Sequence, residues 1–460
     1  MTINRLPRQS NSNRKHSMRI RIKTPLLRSS MIALAISQVF SLSAYAAQSD
    51  AQRIAELESK LDKSLLQIEQ LANRLSEIES RKPVGSQPNP AAEKIAKQDD
   101  RIEQLEKSIV LVSANAAKRS DLGLPLHGFA DLGYGHASNA INGRKSGFTL
   151  GSLDLYLTPE FGDRVKSIIE LVFEYGTDGA LATDLERLQL GYTFSDSATL
   201  WAGRYHTPYG YWNTAFHHGP QIQTAAIRPR FLGFEDQGGI LPAHGVGLLA
   251  NGSMRAGEGK VQYDAYIANG NSITNRVLDF NPVKDDNTNK MVGGNLRYSL
   301  GGALDGLTLG LHGLTQQVDG YESDQTIKNN STKMNVFGGF AVYDNNNWEV
   351  IGEYYRFRNK DLSGGTGTHT SWAGFAQAGY TFADKWTPYA RFEKAALDQT
   401  DSYFSGQASG ASYQRQSIGL RYNLNQFSAL KLELNRTKDE PTSAPALNTN
   451  EARVQFAVRF

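Results

Sequence analysis

The carboxy-terminal stretch NEARVQFAVRF, residues 450–460, decides the fold. Val454, Phe456, Val458 and Phe460 occupy alternate positions, and Arg453, Gln455, Ala457 and Arg459 stand between them. Successive side chains of a β-strand point to opposite faces, so the run reads as a strand with one apolar and one polar face. The same alternation recurs upstream. In SALKLELNR it sets Leu430, Leu432 and Leu434 against Lys431, Glu433 and Asn435. In SIIELVFEY it sets Ile169, Leu171, Phe173 and Tyr175 against Glu170 and Glu174.

From about residue 124 onward the pattern yields sixteen such segments. They begin near 124, 147, 164, 183, 198, 244, 259, 290, 305, 333, 347, 368, 384, 412, 428 and 450. The links between them alternate in length. Links such as SDSA, DNN, AD and LNQF are short, whereas residues 137–146, 205–243, 271–289, 318–332, 359–367, 397–411 and 438–449 form longer ones. Lipid offers backbone amides no partner, so a membrane-spanning sheet must close on itself with an apolar outside and a polar inside. An even strand count with short turns on one rim and long loops on the other fits that closure. The expected fold is therefore all-β and transmembrane: an antiparallel up-and-down barrel of about 16 strands over residues 121–460, preceded by an α-helical coiled-coil segment. A soluble sandwich does not require so regular an alternation over this length. Trp201, Tyr298, Trp348, Tyr380 and Trp386 lie near segment ends, where aromatic girdles form.

The first 120 residues have a different grammar. Residues 1–46 carry eight Lys or Arg and no acid, then the apolar MIALAISQVFSLSA and the small-residue site AYA, which reads as a secretory signal peptide. Met18 is an alternative start. Without that segment 41 basic residues face 46 acidic ones, a net of −5, so the whole-chain pI of about 8.7 misleads. There is no cysteine, which excludes a disulfide framework. Ile54, Leu61, Ile68 and Leu75 repeat every seven residues, with Leu57, Leu71 and Ile78 at the matching positions. That spacing predicts a coiled coil over 47–80. A Pro-rich linker at 81–93 breaks it, and a second coiled-coil segment follows at 94–120. Such a stripe left wet on a lone helix favours oligomerisation.

The longest link opens with GRYHTPYGYWNTAFHHGP, residues 203–220. With the heptads and the terminal VQFAVRF, GRYHTPYG carries a resemblance to sixteen-stranded trimeric porins of Gram-negative bacteria. The chain looks most similar to the phosphate-selective porin O/P group and to the DcaP-like porins. The resemblance implies an outer-membrane location with the coiled coil in the periplasm, a homotrimer, and a third loop that enters the lumen and sets a constriction. It also implies recognition of Val454, Phe456, Val458 and Phe460 by the barrel-assembly machinery.

On that reading the constriction draws on Arg204, His206, Tyr209, Trp212, His217, His218, Arg228, Arg230, Glu235 and Asp236. Arg187, Arg297, Arg391 and Arg421, with Arg415, stand on inward strand positions as the opposite wall. Asp154, Glu170, Glu174, Asp264 and Glu393 share that face, so the lumen is mixed and leans towards small anions such as phosphate or carboxylates. The loop has no lysine, and arginine's planar fork suits carboxylate as well as phosphate. Its aromatic rings suit either a stacking surface for solutes or, more simply, packing of the loop on the wall.

Catalysis finds little support. Neither GxSxG nor a local Ser, His and acid cluster is present, and no phosphate-binding or dinucleotide fingerprint appears, so neither an enzyme nor a nucleic-acid binder is expected. His206 and His244 with His217 or His218 offer zinc-type imidazoles. His217 and His218 are adjacent, which on an extended segment directs them apart, so no metal or other cofactor is expected. The expected function is passive diffusion of small hydrophilic solutes. The alternative is a structural anchor whose coiled coil tethers the envelope layers.

Overall fold

The computed structural model describes residues 126–460 apart from 142–143, 176–178, 217–218, 235–237, 281, 286, 323–326 and 442–444. The expected signal peptide, the two expected coiled-coil segments and the expected linker lie outside the described residues. Sixteen long strands follow in chain order. They are β1 Leu126–Ile141, β2 Arg144–Leu157, β3 Val165–Tyr175, β4 Leu181–Ser195, β5 Ala198–His206, β6 His244–Ala256, β7 Gly259–Ala268 and β8 Met291–Ser299. After these come β9 Leu307–Tyr321, β10 Lys328–Asp344, β11 Trp348–Asp361, β12 Thr368–Tyr380, β13 Trp386–Ala396, β14 Ser412–Asn425, β15 Ser428–Glu440 and β16 Leu447–Arg459.

Each strand pairs antiparallel with its chain neighbours, and β16 returns to β1 with Phe129 opposite Arg459 and Ala137 opposite Glu451. Gly128 and Phe460 exchange backbone hydrogen bonds at the seam. The sheet is a closed sixteen-stranded barrel. Closure removes the sheet's edges, which is what a spanning sheet needs.

Alternation places the strands within five residues of their expected starts, but it shortens several of them. The first outer link is only 142–143, and the links after β9, β11 and β15 shrink to 322–327, 362–367 and 441–446. The reason is physical. Beyond the lipid both faces of a hairpin are wet, so the apolar alternation stops while the hydrogen-bond ladder continues.

The outer face carries Leu132, Leu150, Leu190, Leu311, Phe337, Leu432 and Phe456, all exposed. On the short-turn rim Trp348 meets Tyr380 at 4.9 Å between ring centres, and Trp386 meets Tyr422 at 4.3 Å. With the exposed Tyr298 they form a girdle there. Trp201 does not join it. Its ring packs against the buried cluster and its Nε1 donates to Asn251 Oδ1 at 3.2 Å, so it points inward. At the β12–β13 turn Ala383 and Asp384 have φ of 51° and 54°, the two left-handed residues of a type I′ hairpin.

The inner wall is not uniform. On β9 to β11 it presents Val318, Met334, Val336, Ile351, Tyr355 and Phe357, all buried. On β1 to β4 and β16 it presents Asp131, Thr149, Lys166, Arg187, Arg453 and Gln455, which keep access to water. The apolar half is covered by the long loops. One irregularity matters further on. Leu171 pairs with Leu185 but Glu170 pairs with Arg187, so Glu186 is the extra residue of a β-bulge, a feature that re-aims side chains.

Candidate functional site

The site is built by residues 207–243, the link between β5 and β6. Irregular backbone at membrane depth is tolerated only where other groups satisfy its amides and carbonyls. The inner wall supplies them. Tyr211 N and Trp212 N donate to the Glu353 carboxylate at 3.0 and 2.6 Å. Ala226 N donates to Glu433 Oε2 at 2.9 Å, and Arg230 N donates to Glu393 Oε2 at 2.7 Å. Cationic side chains take the carbonyls. Lys431 Nζ donates to the oxygens of Pro220 and Ala225, Arg391 Nη1 to Ile227 O at 2.8 Å, and Arg421 Nη1 to Gln223 O at 2.7 Å. The loop therefore crosses the lumen laced to β11 and β13 to β15 by charge-assisted bonds, the stronger class.

Aromatic packing reinforces the lacing. A short helix, α1 Trp212–Ala215, seats Trp212 against Phe375 at 5.6 Å, and Tyr209 meets Tyr355 edge-on at 6.1 Å. Tyr403 of the link between β13 and β14 donates to Ile240 O at 2.6 Å, tying a second long loop onto the first. Gly210 makes the seat possible. It has φ of +63°, and a Cβ there would stand 2.0 Å from Tyr355 Oη. We expect Gly210→Ala to leave the barrel ladder intact but to speed hydrogen exchange across residues 209–216. The left-handed strain costs about 1–2 kcal/mol, and the contact with Glu353 is lost besides. Unchanged exchange there would refute the fit.

The residues expected at the constriction separate into three groups. Tyr209, Trp212, Arg228 and Arg391 are buried. Arg228 stacks 3.6 Å over the Phe234 ring. Arg187, Arg230 and Arg297 keep side-chain exposures of 21%, 23% and 19%. Arg204 and His206 are partly shielded at the root of the loop, and Arg421 serves as a strap. His217, His218, Glu235 and Asp236 lie outside the described residues.

The arginines do not stand as a bare positive wall. Arg187 pairs with Glu170, Arg230 with Asp439, Arg297 with Asp264 at 2.8 Å and Arg391 with Glu393 at 3.0 Å. A paired arginine presents little net charge to a passing solute. Glu353, Glu433 and Lys431 were not expected at the site. Their signal lay in the alternation, which put these charged residues on the inward face of β11 and β15; what each would meet there depends on a loop some 130 to 220 positions away.

At the root of the loop Glu186, His206 and His244 converge. One ligand-type atom from each lies within 4.8 Å of the others. His206 Nε2 is also 3.3 Å from Glu170, and His244 Nε2 is 2.5 Å from Glu186.

No family model and no curated protein matches the sequence. Among solved structures, the anion-selective porin from Comamonas acidovorans is 14% identical with a TM-score of 0.49, over 73% of this chain and 99% of that one. The outer membrane channel DcaP of Acinetobacter baumannii is 14% identical with a TM-score of 0.47, over 73% and 97%. OmpF of Salmonella typhi, in complex with daunomycin, is 13% identical with a TM-score of 0.46, over 73% and 97%. These structural neighbours are outer-membrane porins and channels.

Proposed function

We propose that the chain is a passive channel for small hydrophilic solutes in the bacterial outer membrane. One observation carries this reading: a barrel with an apolar exterior holds a loop laced to one inner wall and leaves charged positions on the facing wall in contact with water. Sixteen strands enclose more space than side chains alone fill. The water path runs beside β1 to β4 and β16, past Asp131, Lys166, Arg187 and Arg453. The narrowest part draws on Arg187, Arg230 and Arg297, because these remain partly exposed while Tyr209, Trp212 and Arg228 are packed away. The alternating terminal strand, from Val454 through Phe456 and Val458 to Phe460, is the segment offered to the barrel-assembly machinery.

The test is single-channel recording of purified, folded protein in planar bilayers. Discrete ohmic steps are expected, grouped in threes for the homotrimer that the sequence resemblance implies. Folded barrels that pass no current would overturn the reading.

Selectivity follows from the pairing of charges. A sharply anion-selective pore in a tenfold salt gradient approaches about 59 mV for a monovalent ion. With Arg187, Arg230 and Arg297 each facing a carboxylate, we expect a reversal potential well below that limit. Removing Asp439 by Asp439→Asn should shift it towards anion preference by freeing Arg230. An unchanged reversal potential would place Arg230 off the solute path.

A further inference from the structure

The root of the pore loop contains a cluster that the channel reading does not use. Glu186 and His244 are fully buried, and the His206 side chain keeps 10% exposure. Three elements supply them. Glu186 comes from the β4 bulge, His206 ends β5 where the loop departs, and His244 begins β6 where it returns. His206 and His244 face each other across the ladder with ring centres 5.2 Å apart.

We propose that Glu186, His206 and His244 bind a zinc-class divalent cation that clamps the two ends of the pore loop to β4. Two imidazoles and a carboxylate make a common three-ligand zinc set, with a fourth position for water. The second sphere fits as well. His244 Nδ1 lies 3.1 Å from Phe280 O and 3.5 Å from Arg204 Nη2; as a donor to the nearer carbonyl it leaves the Nε2 lone pair to a cation beside Glu186. Glu170, 3.3 Å from His206 Nε2, stands next to the set as a further oxygen donor. A tetrahedral zinc holds its nitrogen and oxygen ligands about 3.3 Å apart. To reach that value the wider separations, up to 4.8 Å, close and the 2.5 Å contact between His244 Nε2 and Glu186 opens, both by side-chain rotation. The mixed nitrogen and oxygen set favours zinc or a neighbouring first-row ion over calcium or magnesium, which take oxygen ligands.

The bulge at Glu186 gives the cluster its third member. Strict alternation would send Glu186 to the lipid side, since Arg187 faces Glu170 inside. The extra residue instead lets two consecutive charged side chains be shielded.

The experiment uses full-length folded protein, stripped with a chelator and titrated with Zn²⁺ alone, then with Co²⁺ as a spectroscopic probe. One tight equivalent per chain is expected, with visible cobalt bands of tetrahedral intensity and a raised unfolding temperature on zinc addition. Glu186→Gln and His206→Gln keep side-chain volume and should each weaken binding at least tenfold, while their heat-modifiable mobility shows that the barrel still forms. A variant lacking His217 and His218 should retain the tight equivalent, which separates this site from loose capture by that pair. Absence of a tight equivalent in wild type, or affinity unchanged in both Gln variants, would overturn the proposal and leave the cluster as an ion-paired brace. The outcome is independent of whether the barrel conducts.

Discussion

Replacing Glu353 and Glu433 together by alanine will raise single-channel conductance several-fold and make the open level noisy. Glu353 receives the amides of Tyr211 and Trp212 and the hydroxyl of Tyr355, and Glu433 receives the amide of Ala226. Truncation orphans the amides of Tyr211 and Trp212 inside a water-poor seat, at about 1–3 kcal/mol each, and leaves Ala226 N only the Tyr389 hydroxyl at 3.2 Å. Lys431 also loses its neighbour Glu433 while still holding loop carbonyls. The loop then gains more by turning its amides to water than by remaining seated, and it leaves the lumen. The strand ladders use none of these side chains, so the barrel should still run as a folded species on a gel. Glu353→Gln keeps an acceptor oxygen and should restore most of the parental conductance. Unaltered conductance in the double alanine variant, with the barrel folded, would mean that the laced loop does not limit the flow.

The barrel was legible because lipid imposes one rule on every spanning residue, and that rule prints a period of two. Val454 and Arg453 could be assigned to faces with no knowledge of their neighbours. The seat of the loop could not be read in this way. Alternation places Glu353 inside, but only a closed barrel brings β11 opposite residues 211 and 212. The pairings of Arg297 with Asp264 and of Arg391 with Glu393 depend on register and rotamer, so a lumen that reads as rich in free arginine is largely neutralised. Trp201 and Glu186 mark the other limit. Each departs from what position along the strand suggests, Trp201 by turning inward to Asn251 and Glu186 through an extra residue. The second was signalled in the sequence by an acid next to an inward arginine, since an acid facing lipid is costly.

Leu432→Arg will prevent most of the chain from reaching the folded barrel, whereas Gln455→Arg will not. The two positions sit one strand apart at similar height, with Leu432 opposite Val454 and Gln455 opposite Lys431. They differ in face. Leu432 is exposed on the outside among Leu420, Leu430 and Leu434, while Gln455 points inward and donates to Asp131 Oδ2 at 2.9 Å. An arginine on the lipid face costs about 2–4 kcal/mol near the bilayer midplane and little near the interfaces. Leu432 lies mid-strand, with Ser428 at the short-turn end and Glu440 at the far end of β15, so the full cost applies. An arginine at 455 instead gains the carboxylate of Asp131 and water. Unfolding by urea from lipid vesicles measures both. The contrast also tests the surroundings of the barrel, because in water an exposed leucine tolerates arginine within about 0.5 kcal/mol. If Leu432→Arg proves as harmless as Gln455→Arg, the apolar belt faces something other than lipid, and the channel reading fails with it.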